Sequence, residues 1–329
     1  MSEILIFSEI HQGTLHSTSG ELIAIARKLA DELSVKVSAV LLNGTNEHAD
    51  TVISQGADKA YLTQIDESKK WTADVYISAL EQVCIKINPI LVLAAKTPLG
   101  RDVGPRLAYR LGTSAAQDCL NLFGDKDSGK ISVLRPVYGG SALATFEFSK
   151  NTTPLAIMRV KTIEPLPEDK KRSGEVEIIE LTLDESRIKT ALVETVVQEA
   201  EGIKLEDASV IIGGGRGLGG PEPFDQLEEL AKLFNGAVGA SRAVCDAGWL
   251  DHAFQIGLTG KTVTPDLYIM VGISGASQHM AGCSASKTIV AINKDGDANI
   301  FKEARYGVVG DWEKVLPSFT STVEDLMKS

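Results

Sequence analysis

The chain has 329 residues, more than a single hydrophobic core usually serves, so two domains are expected. Its 44 acidic and 33 basic residues give a net charge of -11, which argues against a nucleic-acid-binding surface because such a surface needs a basic face. No apolar run reaches the roughly 18 residues of a membrane span and no targeting segment precedes the first strand, so we expect a soluble cytoplasmic protein without membrane insertion.

The first half alternates predicted strands and helices. Apolar runs of strand length alternate with stretches that carry apolar residues at helical spacing, in the order Ile4–Phe7 (strand), Glu21–Leu33 (helix), Val35–Leu42 (strand), 47–54 (helix), Lys59–Leu62 (strand), Ala73–Ile87 (helix) and Ile90–Ala95 (strand). This order predicts a parallel sheet with right-handed crossovers. From Ala115 to Val160 the helical pattern stops, and short strands around Gly139 and Gly140 predict an antiparallel hairpin or meander.

The segment from Lys161 to Arg187 has two prolines, dense mixed charge and one strand-like run, Val176–Leu183. We take it as a connector that ends the first domain, which gives domains 1–188 and 189–329. The strand and helix alternation then resumes as Ser209–Ile212 (strand), Phe224–Phe234 (helix), Gly236–Val244 (strand), a loop at 245–249, Leu267–Val271 (strand), Ala276–Ala281 (helix), Thr288–Ile292 (strand) and Trp312–Met327, an amphipathic helix interrupted at Pro317. The second domain is therefore predicted to be a doubly wound parallel sheet.

The stretch from Asp266 to Asn293 predicts a strand, a glycine turn, a short helix and a second strand. Gly272 and Gly275 allow a tight turn and a close backbone approach that a Cβ would block. The start of the short helix would offer free N–H groups to an anion. Polar side chains that a buried connector would not normally collect lie in the same turn, which predicts a nucleotide or cofactor pocket here: Ser274, Ser277, Gln278 and His279.

Glycine and polar residues follow four separate predicted strands of the second domain. Because ligands of an open parallel sheet bind outside the carboxyl ends of its strands, four such ends indicate a site more strongly than any one motif. GGGRGLGG alone is as typical of a turn as of a phosphate loop, since it matches neither G-x-G-x-x-G nor a Walker loop. The four strand ends are 213–217, Ser241–Arg242, Ser274–Gly275 and Asn293–Asp295.

Single residues at these ends have more than one interpretation. Arg242 is typical either of a surface ion pair or, because it directly follows a buried strand, of a cofactor contact. His279 could cap a helix or lie in solvent, or it could lie beside an electron-rich ring. Thr259, Asp246 and Trp249 could each be structural. No nucleophile with its base and no metal-ligand spacing occurs, and the four cysteines are interpreted as small buried residues, so neither catalytic residues nor a metal are predicted.

LYIMVGISGASQHMAG followed by SKTIVAINKD resembles the signature of the α subunit of electron transfer flavoproteins. The resemblance continues through GGGRG, SRAVCDAGW, QIGLTGKTV and YGVVGDW, in the family's order, over 205–315. The first domain shares its opening strand and the segment RPVYGGSALATF. Two positions depart from the family pattern, Met270 and Ser277, and neither change removes a polar contact.

The resemblance implies a heterodimeric electron carrier rather than an enzyme that converts a substrate. This chain would bind FAD in its C-terminal domain, a β subunit would complete the site and hold AMP or a second FAD, and the nucleotide-binding-like first domain would serve as the platform for that partner. Electrons would pass from dehydrogenases, such as the acyl-CoA dehydrogenases of fatty acid β-oxidation, to a membrane quinone oxidoreductase or another acceptor through a stabilised flavin semiquinone.

The resemblance also implies roles for particular residues. Arg242 would lie against the isoalloxazine ring, Thr259 would bond near flavin N5, and His279 would lie by the pyrimidine carbonyl. The adenosine end would be held by Asn293 and Asp311. The residues expected to contact FAD are Arg216, Ser241, Arg242, Gln255, Ile256, Gly257, Leu258, Thr259, Ser274, Gly275, Ala276, Ser277, Gln278, His279, Asn293, Asp311 and Trp312, with Arg216, Ser241 and the turn 274–278 at the phosphates and ribityl chain.

Two alternative functions stay open at this point. One is a subunit of an electron-bifurcating flavoprotein coupled to NADH, which differs mainly in the β subunit. The other is a non-redox regulator that binds an adenine nucleotide, which the strand and helix order of the first domain would also fit. A flavoprotein is yellow and bleaches on reduction, whereas such a regulator would be colourless.

Overall fold

The computed structural model describes residues 2–11, 13–65, 72–140, 142–149, 152–194 and 203–328. The chain divides into two compact units, 1–196 and 197–329. The sequence-based boundary lies at 188/189, and the Asp74 carboxylate of the first unit accepts hydrogen bonds from the backbone N–H groups of Lys189 (2.8 Å) and Thr190 (3.0 Å). The first unit therefore extends past residue 188 along the chain.

The first unit is built on a seven-stranded parallel sheet with the order β12-β5-β4-β1-β6-β11-β7. The predicted parallel α/β fold is confirmed. The strands of the first unit, seven of which form this sheet, are β1 Glu3–Ser8, β2 Ile10–His11, β3 Thr14–Leu15, β4 Lys36–Leu42, β5 Lys59–Gln64, β6 Leu91–Ala95, β7 Ala115–Cys119, β8 Asn121–Asp125, β9 Lys130–Val137, β10 Ala142–Glu147, β11 Leu155–Met158 and β12 Glu175–Glu180. Its helices are α1 Thr18–Leu33, α2 Asn46–Ser54, α3 Ala73–Ile87 and α4 Pro98–Arg110.

Both faces of this sheet are buried, which explains why its central strands are continuous apolar runs rather than alternating ones. Alternate side chains of β1 enter opposite cores: Ile4 and Ile6 pack with α1 and α2, whereas Leu5 and Phe7 pack with α3 and α4. The two apolar layers hold the carboxyl ends of the strands at a common edge.

Helix α4 was not predicted, because two prolines and two glycines hide its periodicity. Thr97 caps it by accepting a hydrogen bond from the Gly100 N–H at 2.9 Å, and Pro98 occupies the first helical turn, where its missing donor is harmless. Pro105 lies inside the helix, and packing of Leu107 onto the sheet is complete despite it. Tertiary packing thus overrides the local propensity.

The predicted hairpin is confirmed as β9 and β10, which form a three-stranded antiparallel sheet with β8. The flanking strands β7 and β11 instead pair in parallel within the large sheet. At their carboxyl ends the Asp118 carboxylate accepts hydrogen bonds from Lys96 Nζ (2.7 Å) and from Arg159 Nε (2.9 Å) and Nη2 (2.7 Å). This cluster joins the ends of three strands.

The strand-like run of the connector is confirmed as β12, which is shorter than predicted and extends the large sheet by pairing in parallel with β5. Lys59 on β5 contacts Glu177 on β12 at 2.8 Å, and a second contact joins Lys59 to Glu175 at 3.5 Å. The charged residues of this segment therefore secure the outer strand of the sheet.

The second unit is a five-stranded parallel sheet with the order β14-β13-β15-β16-β17, and the predicted doubly wound fold is confirmed. Apolar layers cover both of its faces. Its strands are β13 Val210–Gly214, β14 Ala237–Ala240, β15 Leu267–Val271, β16 Thr288–Asn293 and β17 Tyr306–Val309, and its helices are α5 Phe224–Leu233, α6 Arg242–Asp246, α7 Ser277–Met280, α8 Ile300–Glu303 and α9 Trp312–Lys328.

Two elements of the second unit differ from the prediction. The strand predicted to run to Val244 ends at Ala240, and the chain turns into α6 because Val244 packs beneath the sheet as part of a helix rather than extending it. The interruption predicted at Pro317 is wrong, since α9 is continuous through it. Burial of Leu316 against the sheet offsets the one backbone hydrogen bond that a proline removes.

All four cysteines are buried free thiols, as predicted. Burial raises the pKa of Cys283 to about 12, and the same cause raises that of Cys84 to about 12, so both are protonated and behave as small apolar side chains. Among the helices of the described residues, none combines the length and apolar character needed to cross a bilayer.

Candidate functional site

The strand order of the second unit reverses between β13 and β15. The chain passes from β13 to the neighbour on one side, β14, and then returns to the other side with β15. The connections that leave these two strands diverge, which opens a crevice at their carboxyl ends. A cavity of about 840 Å³ lies there, within the size range of cofactor pockets.

Most of the residues selected from the sequence line this cavity. Those that do are Arg216, Ser241, Arg242, Gln255, Ile256, Gly257, Leu258, Thr259, Ser274, Ala276, Gln278, His279, Asn293 and Trp312. They come from the ends of β13, β14, β15 and β16, from the segment 255–259 and, for Trp312, from the start of α9. Gly275, Ser277 and Asp311 are not in the wall. The Asp311 carboxylate instead accepts a hydrogen bond from the Glu313 N–H at 3.2 Å, at the start of α9.

The turn after β15 depends on two glycines with positive φ, Gly272 at 65° and Gly275 at 78°. A Cβ at Gly275 would lie 2.5 Å from the Ile300 Cα, so the turn also needs the close approach predicted for it. The backbone N–H groups of 274–278 donate to no acceptor in the part of the chain that the structure describes. Helix α7 has only four residues, so these free donors, rather than a helix dipole, are what the turn offers to a ligand.

The segment 255–259 places the Thr259 hydroxyl at the cavity, where a chain of hydrogen-bonded side chains holds it. Buried Gln255 is held by His252, with Oε1 and Nδ1 3.0 Å apart, and its amide donates to the Thr259 Oγ at 2.9 Å. Because the Thr259 oxygen already accepts this bond, its hydrogen is available to a ligand. The Leu258 N–H donates to the Gln278 carbonyl oxygen at 2.7 Å and joins this segment to the turn.

The wall carries equal numbers of basic and acidic side chains, namely Arg216, Arg242 and Lys294 with Asp246, Asp295 and Asp297. Arg242 and Asp246 form an ion pair one helical turn apart, with Nε and Oδ2 at 3.2 Å and with 64% and 52% of the side chains exposed. The surface ion pair expected as one interpretation of Arg242 is therefore present, and the pair lies on the cavity wall. Arg216 has no ion pair with any described residue.

His279 is buried, so the solvated alternative is wrong. Its Nε2 lies 3.2 Å from the Tyr268 hydroxyl, whereas Nδ1 makes no hydrogen bond with a described residue. Burial lowers the pKa of His279 to about 4, and the nearby Ile256 backbone opposes that shift only in part. The imidazole is therefore neutral near pH 7 and has one unpaired nitrogen.

Part of the wall was not selected from the sequence. Asp297, Ala298 and Asn299 precede α8, and the Ile300 N–H donates to the Ser274 carbonyl oxygen at 3.1 Å, which holds this loop against the turn. The Asn293 amide similarly donates to the Ile273 carbonyl oxygen at 3.0 Å. The polar run after β16 was the available signal for this part of the wall.

Two protein-family models match separate parts of the chain. The model of the electron transfer flavoprotein domain matches residues 4–184, and the model of the electron transfer flavoprotein FAD-binding domain matches residues 204–284. Electron transfer flavoprotein subunit alpha of Thermoanaerobacterium thermosaccharolyticum is 40% identical over 325 residues, which cover 98% of each chain.

Two further relatives agree with these matches. The subunit of the same name from Bacillus subtilis (strain 168) is 40% identical over 326 residues, again 98% of each chain. Protein FixB of Clostridium saccharobutylicum is 35% identical over 326 residues, 99% of this chain and 97% of that one. This chain therefore belongs to the family of electron transfer flavoprotein alpha subunits, and its second unit carries the FAD-binding domain of that family.

Proposed function

We propose that this chain is the FAD-holding subunit of a heterodimeric electron carrier that accepts electrons from dehydrogenases and delivers them to a membrane quinone oxidoreductase or another acceptor. The observation that carries the proposal is the cavity of about 840 Å³ at the reversal of strand order, whose wall combines unpaired donors with cations. The family shows the cofactor, and this cavity is where we propose that it binds.

The donors of the wall fit the chemistry of FAD. The free N–H groups of 274–278 suit phosphate oxygens, which accept hydrogen bonds and carry negative charge. Arg216, without an ion-pair partner among the described residues, suits the same group. The Thr259 hydroxyl, whose oxygen accepts from Gln255 and whose hydrogen is not used by a described residue, suits the nitrogen and oxygen atoms at the edge of a flavin ring. Each of these groups has a hydrogen that a ligand could accept.

FAD, when bound, would supply the redox chemistry by taking up and releasing single electrons. The chain's own contribution would be electrostatic. Arg242 places a positive charge on the wall, and a fixed cation favours the addition of negative charge to a ring nearby. Asp246 partly offsets this charge through the ion pair at 3.2 Å. His279, being neutral, would act by hydrogen bonding and would add no charge.

The wall also supports an electron carrier over an enzyme that converts a substrate. A general acid or base works best with a pKa near the operating pH. His279 is buried in the wall, but its pKa of about 4 is far from neutrality and it would have to charge in an apolar setting. The three aspartates of the wall are exposed, which suits solubility and partner contact rather than proton transfer.

A partner subunit would complete the site. The relatives are named as alpha subunits, and the exposed wall residues Leu258 and Gln278 leave room for a second chain to cover the ring. We expect that chain to be the β subunit, which would also hold AMP or a second FAD.

The test is the absorption spectrum and flavin count of this chain purified together with its β subunit. A yellow complex with at least one FAD, which bleaches when a donor dehydrogenase and its substrate are added, would support the proposal. A colourless complex that binds only an adenine nucleotide would overturn it in favour of the regulator. Direct bleaching by NADH would identify the electron-bifurcating form.

A further inference from the structure

We propose that Glu9 is an internal ligand of the first unit: its carboxylate fills the ligand crevice of the seven-stranded sheet and takes the place of the anion that such a crevice would otherwise bind. The first unit would then have the fold of a nucleotide-binding domain with its site closed by the chain itself. Glu9 lies in the first unit, whereas the residues that line the FAD cavity lie in the second, so this role goes beyond the proposed function.

The seven-stranded sheet has a reversal of strand order of its own, between β1 and β6. After β1 the chain adds β4 and β5 on one side, and it then returns to the other side of β1 with β6. Ligands of an open parallel sheet bind outside the carboxyl ends of two such strands. Strand β1 ends at Ser8 and β6 ends at Ala95, so Glu9 and Thr97 follow the two strand ends that border this crevice.

Glu9 joins these two strand ends. Its side chain is 1% exposed, and its Oε1 accepts a hydrogen bond from the Thr97 hydroxyl across the reversal. The same Thr97 oxygen accepts from the Gly100 N–H at 2.9 Å and caps α4, a helix of 13 residues. A Cβ at Gly100 would lie 2.0 Å from the Ala95 carbonyl oxygen, so α4 begins directly against the end of β6. The carboxylate therefore lies beside the start of a helix, where a bound anion would be favoured.

Other elements hold the same carboxyl group. Its second oxygen, Oε2, lies 3.1 Å from the His11 Nε2 on β2. Strands β2 and β3 form a small hairpin directly after Glu9, and the His16 N–H donates to the Glu9 carbonyl oxygen at 2.9 Å. Burial and then the negative charge of Glu9 raise the pKa of Tyr76 on α3 to about 12, which places the Tyr76 hydroxyl near this carboxylate. Groups from α3, the cap of α4 and the hairpin thus surround Glu9.

A carboxylate in this position excludes a ligand in two ways. It takes up the volume at the strand ends, and its negative charge repels the phosphate of a nucleotide. A buried carboxylate is costly without partners, and here the Thr97 hydroxyl and the His11 ring supply the donors that a binding site would offer to an anion.

Two further hydroxyls indicate that the crevice is polar beyond what Glu9 needs. The Oγ atoms of Ser8, at the end of β1, and of Ser19, in the first turn of α1, are buried and have no hydrogen-bond partner among the described residues. Such groups are uncommon in folded proteins, and their place at a strand reversal fits a crevice with the chemistry of a ligand site. A regulator that bound an adenine nucleotide in the first unit would need this crevice open.

The test is to remove the internal ligand and supply a free one. In the full chain purified with its β subunit and FAD, Glu9→Ala leaves the Thr97 hydroxyl without its acceptor and opens a space for a small carboxylate. Formate or acetate should then raise the midpoint temperature of unfolding by roughly 2 to 4 °C over chloride at the same ionic strength. The measurement is calorimetry, on the transition that Glu9→Ala itself lowers. The wild type should show no difference between the salts, because Glu9 occupies the crevice.

Two matched variants separate binding in the crevice from a general effect of the salt. Glu9→Met fills the space with an uncharged side chain of similar length, and Glu9→Ala combined with Thr97→Val lacks the donor. Neither should respond to formate. Equal shifts in these variants and in Glu9→Ala, or no shift in Glu9→Ala, would overturn the proposal.

Refolding keeps the test decisive where Glu9→Ala does not fold in chloride. The yield of soluble heterodimer on dilution from urea should be several-fold higher in formate than in chloride for Glu9→Ala and should be the same in both salts for Glu9→Met. Equal yields of Glu9→Ala in the two salts would overturn the role of Glu9. These outcomes do not depend on the flavin, so they are separate from the flavin count and bleaching that test the proposed function.

Discussion

Replacing Gly275 with alanine should weaken FAD binding without unfolding the second unit. The φ of 78° disfavours any side chain, at about 1 to 3 kcal/mol. In addition, the new Cβ would lie 2.5 Å from the Ile300 Cα, whereas ordinary contacts begin at 3.4 Å, so backbone must move by roughly 1 Å. The movement would strain the hydrogen bond from the Ile300 N–H to the Ser274 carbonyl and pull two parts of the cavity wall apart.

Gly248→Ala is the matched control, because Gly248 has a φ of 73° and a Cβ there meets no described atom within 4 Å. Both variants should lose stability in urea unfolding through the positive φ, and Gly275→Ala should lose more because of its added clash. Only Gly275→Ala should lose affinity for FAD, by roughly 10- to 100-fold, since small displacements at a binding site have effects of this size. The assay is fluorescence titration of the FAD-depleted heterodimer with FAD. Equal affinities in the two variants would refute the assignment of this turn to the cofactor site.

Three other predictions concern polar and charged side chains. Arg242→Ala should lower the midpoint potential of FAD and Asp246→Asn should raise it, as measured in a spectroelectrochemical titration. Each shift should be tens of millivolts, because the two charges form an exposed pair and are screened by solvent. Shifts of the potential in the same direction would contradict this prediction. His279→Ala should keep FAD through gel filtration while lowering its potential, and loss of FAD would show that the residue is a binding group. Asp118→Asn should lower the free energy of unfolding near neutral pH by about 2 kcal/mol or more, measured in urea. Burial alone would raise the pKa of Asp118, but hydrogen bonds from Arg159 and a lysine lower it from 3.8 to about 2. This stabilisation is present above pH 3.8 and is lost as the pH falls through about 2, so the variant and wild type should converge in acid.

The fold was predictable where one local pattern decides the structure. Strands of a parallel sheet buried on both faces are continuous apolar runs, and β15 begins and ends at the predicted residues, 267 and 271. Helix α3 also matches, at 73–87. Helix α4 was missed and α9 was predicted with a break, because Pro105 and Pro317 argue against a helix locally. Burial of Leu107 and Leu316 keeps both helices intact.

The location of the site was predictable because the carboxyl ends of parallel strands share an edge, so polar residues after four strands had to meet there. The burial and the bonding partners of each side chain were not predictable from the sequence. Whether His279 is buried depends on β15 and α7 packing around it, and its link to Tyr268 joins positions eleven apart through the sheet face. The pairing of Arg242 with Asp246 depends on the chain turning into α6 after Ala240. The apolar residues of that stretch predict a continued strand, so the sequence did not indicate this turn.

Strand β12 has a consequence for anyone who prepares the first unit in isolation. A protein ending near residue 160 would lack this strand and would expose the unpaired N–H and C=O groups of β5 to solvent. Such an unpaired edge strand promotes aggregation, because it can pair with strands of other molecules. It would also lack the backbone donors of Lys189 and Thr190 that satisfy the Asp74 carboxylate. A well-behaved fragment should therefore retain the charged stretch through Thr190, although its composition suggests a dispensable spacer.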